Sequence, residues 1–126
     1  MGEARVGVDL VDVPSFEARF AGRDDALAGL FTPEELAYCR RQPRPWNHLA
    51  ARFAAKEAVL KALGTGLTGA MQWHDIEVTR DPAGMPHLAI SGHVGAALHD
   101  RRLAPGSVSL SHAAGVAVAV VILSST

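Results

Sequence analysis

The feature that most constrains this chain is the stretch from Trp46 to Leu63, its longest helical pattern, bounded by breakers on both sides. Leu49, Phe53, Leu60 and Leu63 recur at three- or four-residue multiples, and Gly64 is placed to end the helix. Upstream, Arg41-Gln-Pro-Arg-Pro45 separates it from a shorter helix. Two prolines in three residues leave no continuous hydrogen-bond ladder there. The shorter helix starts at Thr32-Pro33-Glu34-Glu35, a capping threonine with proline at the first helical position and a glutamate three residues after the cap. Before it, Val6, Val8 and Leu10 alternate as the apolar side of a half-buried strand, with Gly7 and Asp9 on the other face. Pro14 then opens a first helix carrying Phe16 and Phe20, loosened at Gly22 and Asp24-Asp25. Downstream, two hairpins are predicted. Asp75–Arg80 and His87–Ser91 flank the turn cluster Asp81-Pro-Ala-Gly84, and Ser107–Ser111 and Val116–Leu123 flank His112-Ala-Ala-Gly115, with a short helix at Val94–Asp100 between the hairpins. Helices in the first half and antiparallel strands in the second predict an α+β fold, an antiparallel sheet packed against a long helix, in a single domain spanning 1–126.

Composition narrows the function classes. Twelve basic groups nearly cancel thirteen acidic ones, so bulk charge names no partner. The lone Cys39 offers neither a disulfide nor a zinc-ligand cluster, and reads as a buried helix residue in a reduced, cytoplasmic protein. Glu3, Asp9 and Asp12 spoil a signal peptide, and the longest apolar run, Val116 to Leu123, is far short of the ~20 residues of a membrane span. Only 6 % of the residues are aromatic, too few for a large core in so short a chain, and self-assembly is expected.

Charge is distributed unevenly. Arg40, Arg41, Arg44, Arg52, Lys56 and Lys61 face a single acid, Glu57, within one window, a pattern suited to an anionic ligand. Lys61 lies one turn beyond Glu57. The bland reading is a surface ion pair contributing roughly 0.2–0.5 kcal/mol, and the functional one is a carboxylate that holds a divalent metal beside phosphate oxygens. Gly64, Gly66 and Gly69 allow backbone N–H groups to approach phosphate, or simply stop the helix and begin a loop.

Several segments together resemble one family. Gly7-Val-Asp9-Leu-Val, Phe31-Thr-Pro-Glu-Glu-Leu-Ala-Tyr-Cys39, Leu49-Ala-Ala-Arg-Phe-Ala-Ala-Lys-Glu-Ala58, Lys61-Ala-Leu-Gly-Thr-Gly66, Asp75-Ile-Glu-Val78, Gly84-Met-Pro86 and Ser109-Leu-Ser-His112 follow one another as in the holo-acyl-carrier-protein synthases, the small type of 4′-phosphopantetheinyl transferase. The resemblance implies transfer of 4′-phosphopantetheine from coenzyme A to a serine of an apo acyl carrier protein, with magnesium as cofactor and 3′,5′-ADP released. It implies Asp9 and Glu57 as metal ligands and, with Lys61, as the catalytic set. Arg52, Lys56, Lys61, Gly64 and His112 are the expected substrate-binding residues. It also implies a homotrimer with coenzyme A at the subunit junctions. The first helix is the family's carrier-docking surface. Many relatives have an arginine where this chain has Ser15, and Arg19 and Arg23 remain as substitutes, helped by Arg40 and Arg41. Ala113 follows His112 where some relatives place an acidic or polar residue.

Two other readings compete. A non-catalytic coenzyme A or carrier-protein binding subunit has little reason to keep Asp9, Glu57, Lys61 and His112 together. A nucleic-acid-binding domain would need interleaved aromatics and an overall basic excess that the chain lacks. His48, His74, His87, His93 and His99 have no mutual metal-ligand spacing and read as surface or structural residues.

Overall fold

The structure, a computed structural model, describes residues 3–126. Strand β1 (Ala4–Asp12) leads into helices α1 (Val13–Phe20), α2 (Asp24–Leu30), α3 (Pro33–Arg40) and the long α4 (Pro45–Leu63). There follow β2 (Ile76–Arg80), β3 (Pro86–Ile90), α5 (Gly92–Asp100), β4 (Leu103–Ala113) and β5 (Val116–Ser125). The order of helices and strands is the α+β pattern expected, with two differences. The strands form two antiparallel sheets, β1-β5-β4 and β2-β3, and a separate helix α2 follows α1. Asp24 and Asp25, read as residues that loosen a helix, occupy the first turn of α2, where carboxylates oppose the helix dipole favourably.

Local chemistry sets the boundaries. The Asp12 side chain accepts the Ser15 N–H at 2.8 Å and caps α1, with Pro14 in the first turn. Thr32 and Glu35 form the reciprocal capping box of α3. Gly64 ends α4 in the left-handed region at φ 88°, donating its N–H to the Leu60 carbonyl at 2.8 Å. Between β4 and β5, Ala114 and Gly115 take φ of 52° and 79°, the pair of left-handed residues that a tight two-residue hairpin requires. His112 therefore belongs to strand β4 and not to the turn.

Helix α4 lies on one face of the three-stranded sheet, and the core follows its length. Ala54, Ala55, Ala58 and Val59 pack with Ala119 and Val121 at one end, and Leu49, Ala50 and Ala51 with Phe16, Phe31 and Ala117 at the other. The small residues of the helix let it sit close to the sheet. Contact is tightest at Gly7, where a Cβ would overlap the Ala58 carbonyl oxygen and lie 2.8 Å from its carbon and 3.0 Å from the Ala62 nitrogen.

This packing reverses the expected facing of β1. Gly7 is buried under α4, while Val6, Val8 and Leu10 are 63 %, 51 % and 66 % exposed on the outer face. Their register explains the outcome. Val6 stands beside Ile122, Val8 beside Val120 and Leu10 beside Val118, so the apolar residues of β1 and β5 line up on the surface away from the helix. Alternation finds two faces but does not say which one the domain itself covers. Among the described residues no helix is long and apolar enough to cross a membrane.

A Gly7→Ala substitution is predicted to destabilise the protein by about 1–3 kcal/mol or more, because the backbone atoms it meets are held on both sides. Urea denaturation measures it; a loss below about 0.5 kcal/mol would contradict the close approach.

Candidate active site

The close seam between β1 and α4 brings three of the expected residues together. Lys61 Nζ donates to Asp9 Oδ1 at 2.7 Å and to the Val8 carbonyl at 3.2 Å. The i, i+4 partner Glu57 is not the ion-pair partner of Lys61; the pair forms across the seam. Glu57 lies near enough to both for their charges to be felt. Burial, reinforced by the Asp9 charge, pushes its carboxyl above the usual range, with Lys61 opposing. The hydrogen bond from Lys61 to Asp9, with the Asp9 charge, holds the lysine above its ordinary value. Two neighbouring carboxylates, one resisting ionisation, call for a cation.

That donor set fits magnesium. Among the described residues no cluster of three or more His, Cys, Asp or Glu side chains could cage a metal. Magnesium needs no such cage, since it is ordinarily held by one or two carboxylates together with phosphate oxygens and water.

Lys56, expected to bind substrate, does something else. Its ammonium is fully buried and gives all three donors to protein oxygens: Glu35 Oε1 at 2.7 Å, the Ile76 carbonyl at 2.6 Å and the Trp73 carbonyl at 3.1 Å. Glu35 in turn accepts the N–H groups of Thr32 and Val78. Burial pushes Lys56 below the ordinary lysine range, and Glu35 opposes the shift. The residue ties α3, α4 and β2 together and has no donor left for a ligand. Gly64 likewise spends its N–H on helix termination, so it offers phosphate no donor.

Arg52 is also buried, 1 % exposed, with its guanidinium 4.4 Å from the centre of the Tyr38 ring. Its one hydrogen bond runs from Nη1 to the His48 carbonyl at 3.4 Å, and Nε has no partner. With Lys56 and Arg52 inside, the basic window is not one patch. Its exposed cations divide between the two ends of α4.

At the first turn of α4, His48 packs against His112 with ring centroids 5.5 Å apart. Both line a cavity of about 630 Å³ with Pro14, Glu17, Arg44 and Asn47. This region lies on the far flank of the helix from Glu57. Nine residues separate His48 from Glu57, which at 100° per residue is about half a turn beyond two full turns. The sheet agrees. Asp9, Ala119 and Leu110 form one row and Val11, Ala117 and His112 the next-but-one on the same face, so the Asp9 and His112 Cα atoms are about 12 Å apart by strand spacing. The buried alanines of α4 fill the space between. One chain thus carries two separate clusters, Asp9 with Glu57 and Lys61 on one flank of α4 and His48 with His112 on the other. His112 lies on β4 and away from Asp9, and His48, which the sequence alone marks as surface or structural, is its neighbour. The half-turn offset along the helix was the available signal.

Arg19 and Arg23 are exposed, Arg19 on α1 and Arg23 at the start of α2. Arg40 pairs loosely with Asp24 at 3.7 Å, both side chains in solvent. Cys39 is fully buried, and burial raises its thiol to about 11, which suits packing and not reactivity.

The order of strands and helices, with one long helix laid on a three-stranded antiparallel sheet, is shared with known proteins. A profile of the 4′-phosphopantetheinyl transferase superfamily matches residues 5–121, and the chain belongs to that superfamily. Within it, a holo-[acyl-carrier-protein] synthase of Geobacter sulfurreducens is 44 % identical over 118 residues, 93 % of this chain and 94 % of that protein. The crystal structure of a holo-[acyl-carrier-protein] synthase from Neisseria meningitidis superposes with a TM-score of 0.82 at 32 % identity, covering 94 % of this chain and 96 % of the other. The synthase from Bacillus anthracis, solved in complex with CoA (3′,5′-ADP), superposes at 0.77 with 31 % identity over 97 % and 96 % of the two chains.

Two outcomes test the site's electrostatics. Lys56→Met should cost about 3–5 kcal/mol in chemical denaturation, because it leaves Glu35 buried without its cation; a cost below about 1 kcal/mol would contradict the buried pair. Glu57→Gln, without metal, should melt higher than wild type at neutral pH. A carboxyl whose folded value is raised destabilises the fold above that value and ceases to do so as pH falls towards its unfolded value of about 4.3. The thermal advantage should therefore vanish near pH 4, and an advantage independent of pH would contradict it.

Proposed function

We propose that this protein transfers the 4′-phosphopantetheine group of coenzyme A to a serine hydroxyl of an apo acyl carrier protein, releasing 3′,5′-ADP with the help of magnesium. The observation that carries the reading is the cluster of Asp9, Glu57 and Lys61 on the seam between β1 and α4, in a chain of this superfamily. Asp9 and Glu57 would hold the magnesium ion, which when bound neutralises charge developing on the pyrophosphate. Lys61 is 54 % exposed at its side chain and can meet a phosphate oxygen without leaving the seam. The serine oxygen forms a bond to the pantetheine-side phosphorus as the bond to the departing 3′,5′-ADP breaks, and the hydroxyl proton is given up to solvent water or to the leaving phosphate. Positioning and charge account for most of such a transfer, which fits a site with no nucleophilic side chain of its own.

The site is completed between copies of the chain. The half-site of Asp9, Glu57 and Lys61 and the half-site of His48 and His112 face away from each other around α4, so an anionic ligand that touches both must bridge two subunits. The outer sheet face supports a homotrimer: Val6, Val8, Leu10, Val120 and Ile122 form an apolar surface of the kind that soluble chains bury. Light scattering should give three times the chain mass at micromolar concentration, and an active monomer would overturn this part.

Carrier docking falls to Arg19 and Arg23, with Arg40 and Arg41 nearby. Each exposed charge is worth only about 0–1 kcal/mol, so single substitutions should weaken docking slightly and in a salt-dependent way. The double substitution Arg19→Glu, Arg23→Glu should raise the carrier KM several-fold at low salt; an unchanged KM would place docking elsewhere.

The activity itself is read by intact mass. With coenzyme A, magnesium and a panel of apo carriers, at least one carrier should gain a phosphopantetheine group, and Glu57→Ala should abolish the gain while the helix remains folded. Failure to modify any carrier would favour the non-catalytic binding role, and wild-type turnover by Glu57→Ala would overturn the assignment of Glu57.

A further inference from the structure

The cavity at the head of α4 contains a residue that none of the expected roles uses. His48 sits between aromatic neighbours on two sides, Tyr38 of α3 at 6.0 Å and His112 of β4 at 5.5 Å, both edge to face. Charged groups stand around it. Arg44, the residue before α4, and Arg52 on α4 lie four residues before and after it, Arg80 comes from β2 through the shared Tyr38 ring, and Glu17 of α1 lines the same cavity. Arg52 is buried, keeps Nε unpaired and, among the described residues, forms no ion pair, while Glu34 of α3 and Glu77 of β2 line the pocket it shares with Tyr38 and Arg80.

We propose that His48 is a second phosphate-binding imidazole of this cavity, beside His112, and one that takes up a proton when a phosphate dianion enters. The inference rests on the coenzyme A reading of the cavity and adds to it a residue and a proton.

The physical reasoning is a balance of like charges. In the free protein His48 is kept neutral: burial lowers its affinity for a proton, and Arg52, His112 and Arg80 lower it further. A proton on His48 is therefore disfavoured in the free protein, with Arg52 one turn further along α4. A phosphate dianion within hydrogen-bond reach of both rings reverses the sign of that field. Each ring can then donate a charge-assisted N–H bond to a phosphate oxygen. Proton uptake and ligand binding become linked. Affinity for the dianion falls as pH rises past the free-state value of His48, while below about pH 6 the phosphate itself takes up a proton and offsets the gain. His48 thereby makes capture of the nucleotide end of the substrate, and release of the product that carries it, sensitive to pH.

The test is calorimetric titration of the wild-type protein with 3′,5′-ADP at pH 7 in two buffers of different ionisation enthalpy, PIPES and Tris, repeated with His48→Gln. The difference between the two proteins cancels the ligand's own ionisation. The wild type should take up on the order of half to one proton more per site than the variant. Its affinity should fall roughly fivefold or more from pH 6 to pH 8.5, while that of His48→Gln changes clearly less. Circular dichroism checks that the variant is folded, and His48→Phe, which keeps a stacking ring without a titrating proton, should behave like His48→Gln. Equal proton uptake by wild type and both variants overturns the role of His48 and leaves the coenzyme A reading standing. Absence of any binding by the folded wild type overturns the reading of the cavity and this inference with it.

Discussion

Everything distinctive in this protein depends on how closely one strand meets one helix. Gly7 has no side chain, and its backbone lies against the Ala58 carbonyl and the Ala62 nitrogen. A larger residue would push β1 away from α4, and the first groups to part would be Lys61 from Asp9 and from the Val8 carbonyl. The same approach presses a strand with an aspartate and a helix with a glutamate into one partly dry seam, where Glu57 feels both burial and the neighbouring charge. The geometry of packing and the electrostatics of the site are therefore one property of the fold.

A second polar anchor fixes the helix about its axis. Lys56, adjacent to Glu57 in sequence, is locked by Glu35 and by the carbonyls of Trp73 and Ile76. Because neighbouring helical positions point about 100° apart, holding Lys56 inward on one side sets Glu57 towards β1 on another. A methionine could fill the same space but would not select one rotation through three directed hydrogen bonds. The buried pair contributes to orientation at least as much as to stability.

Much of this was legible in the sequence. The long helix and its glycine stop, the capping box at Thr32, both hairpins and the meeting of Asp9, Glu57 and Lys61 follow from periodicity, capping chemistry and motif. Three features were not. The facing of β1 was reversed because alternation is symmetric, and an apolar stripe that the domain leaves exposed looks like one meant for its own core. Lys56 and Arg52 looked like surface cations because charge counts along a helix ignore which face is buried. Each is inside only because partners distant in sequence, Glu35 and the Tyr38 ring, receive it. His48 reads as surface or structural from sequence because the β4–β5 hairpin brings His112 beside it, and no local pattern joins residues 48 and 112.

The central claim is that one chain carries two half-sites on opposite flanks of α4 and that activity needs one of each, from different copies. Complementation tests it most directly. Glu57→Gln and His112→Ala, each inactive alone, are unfolded together, refolded as a mixture and assayed for phosphopantetheine transfer by intact mass. If the site bridges subunits, random mixing at equal amounts restores about a quarter of the wild-type activity, since each site draws its two halves independently. If both halves act within one chain, every site in the mixture carries a lesion, the activity stays at background, and the account is wrong.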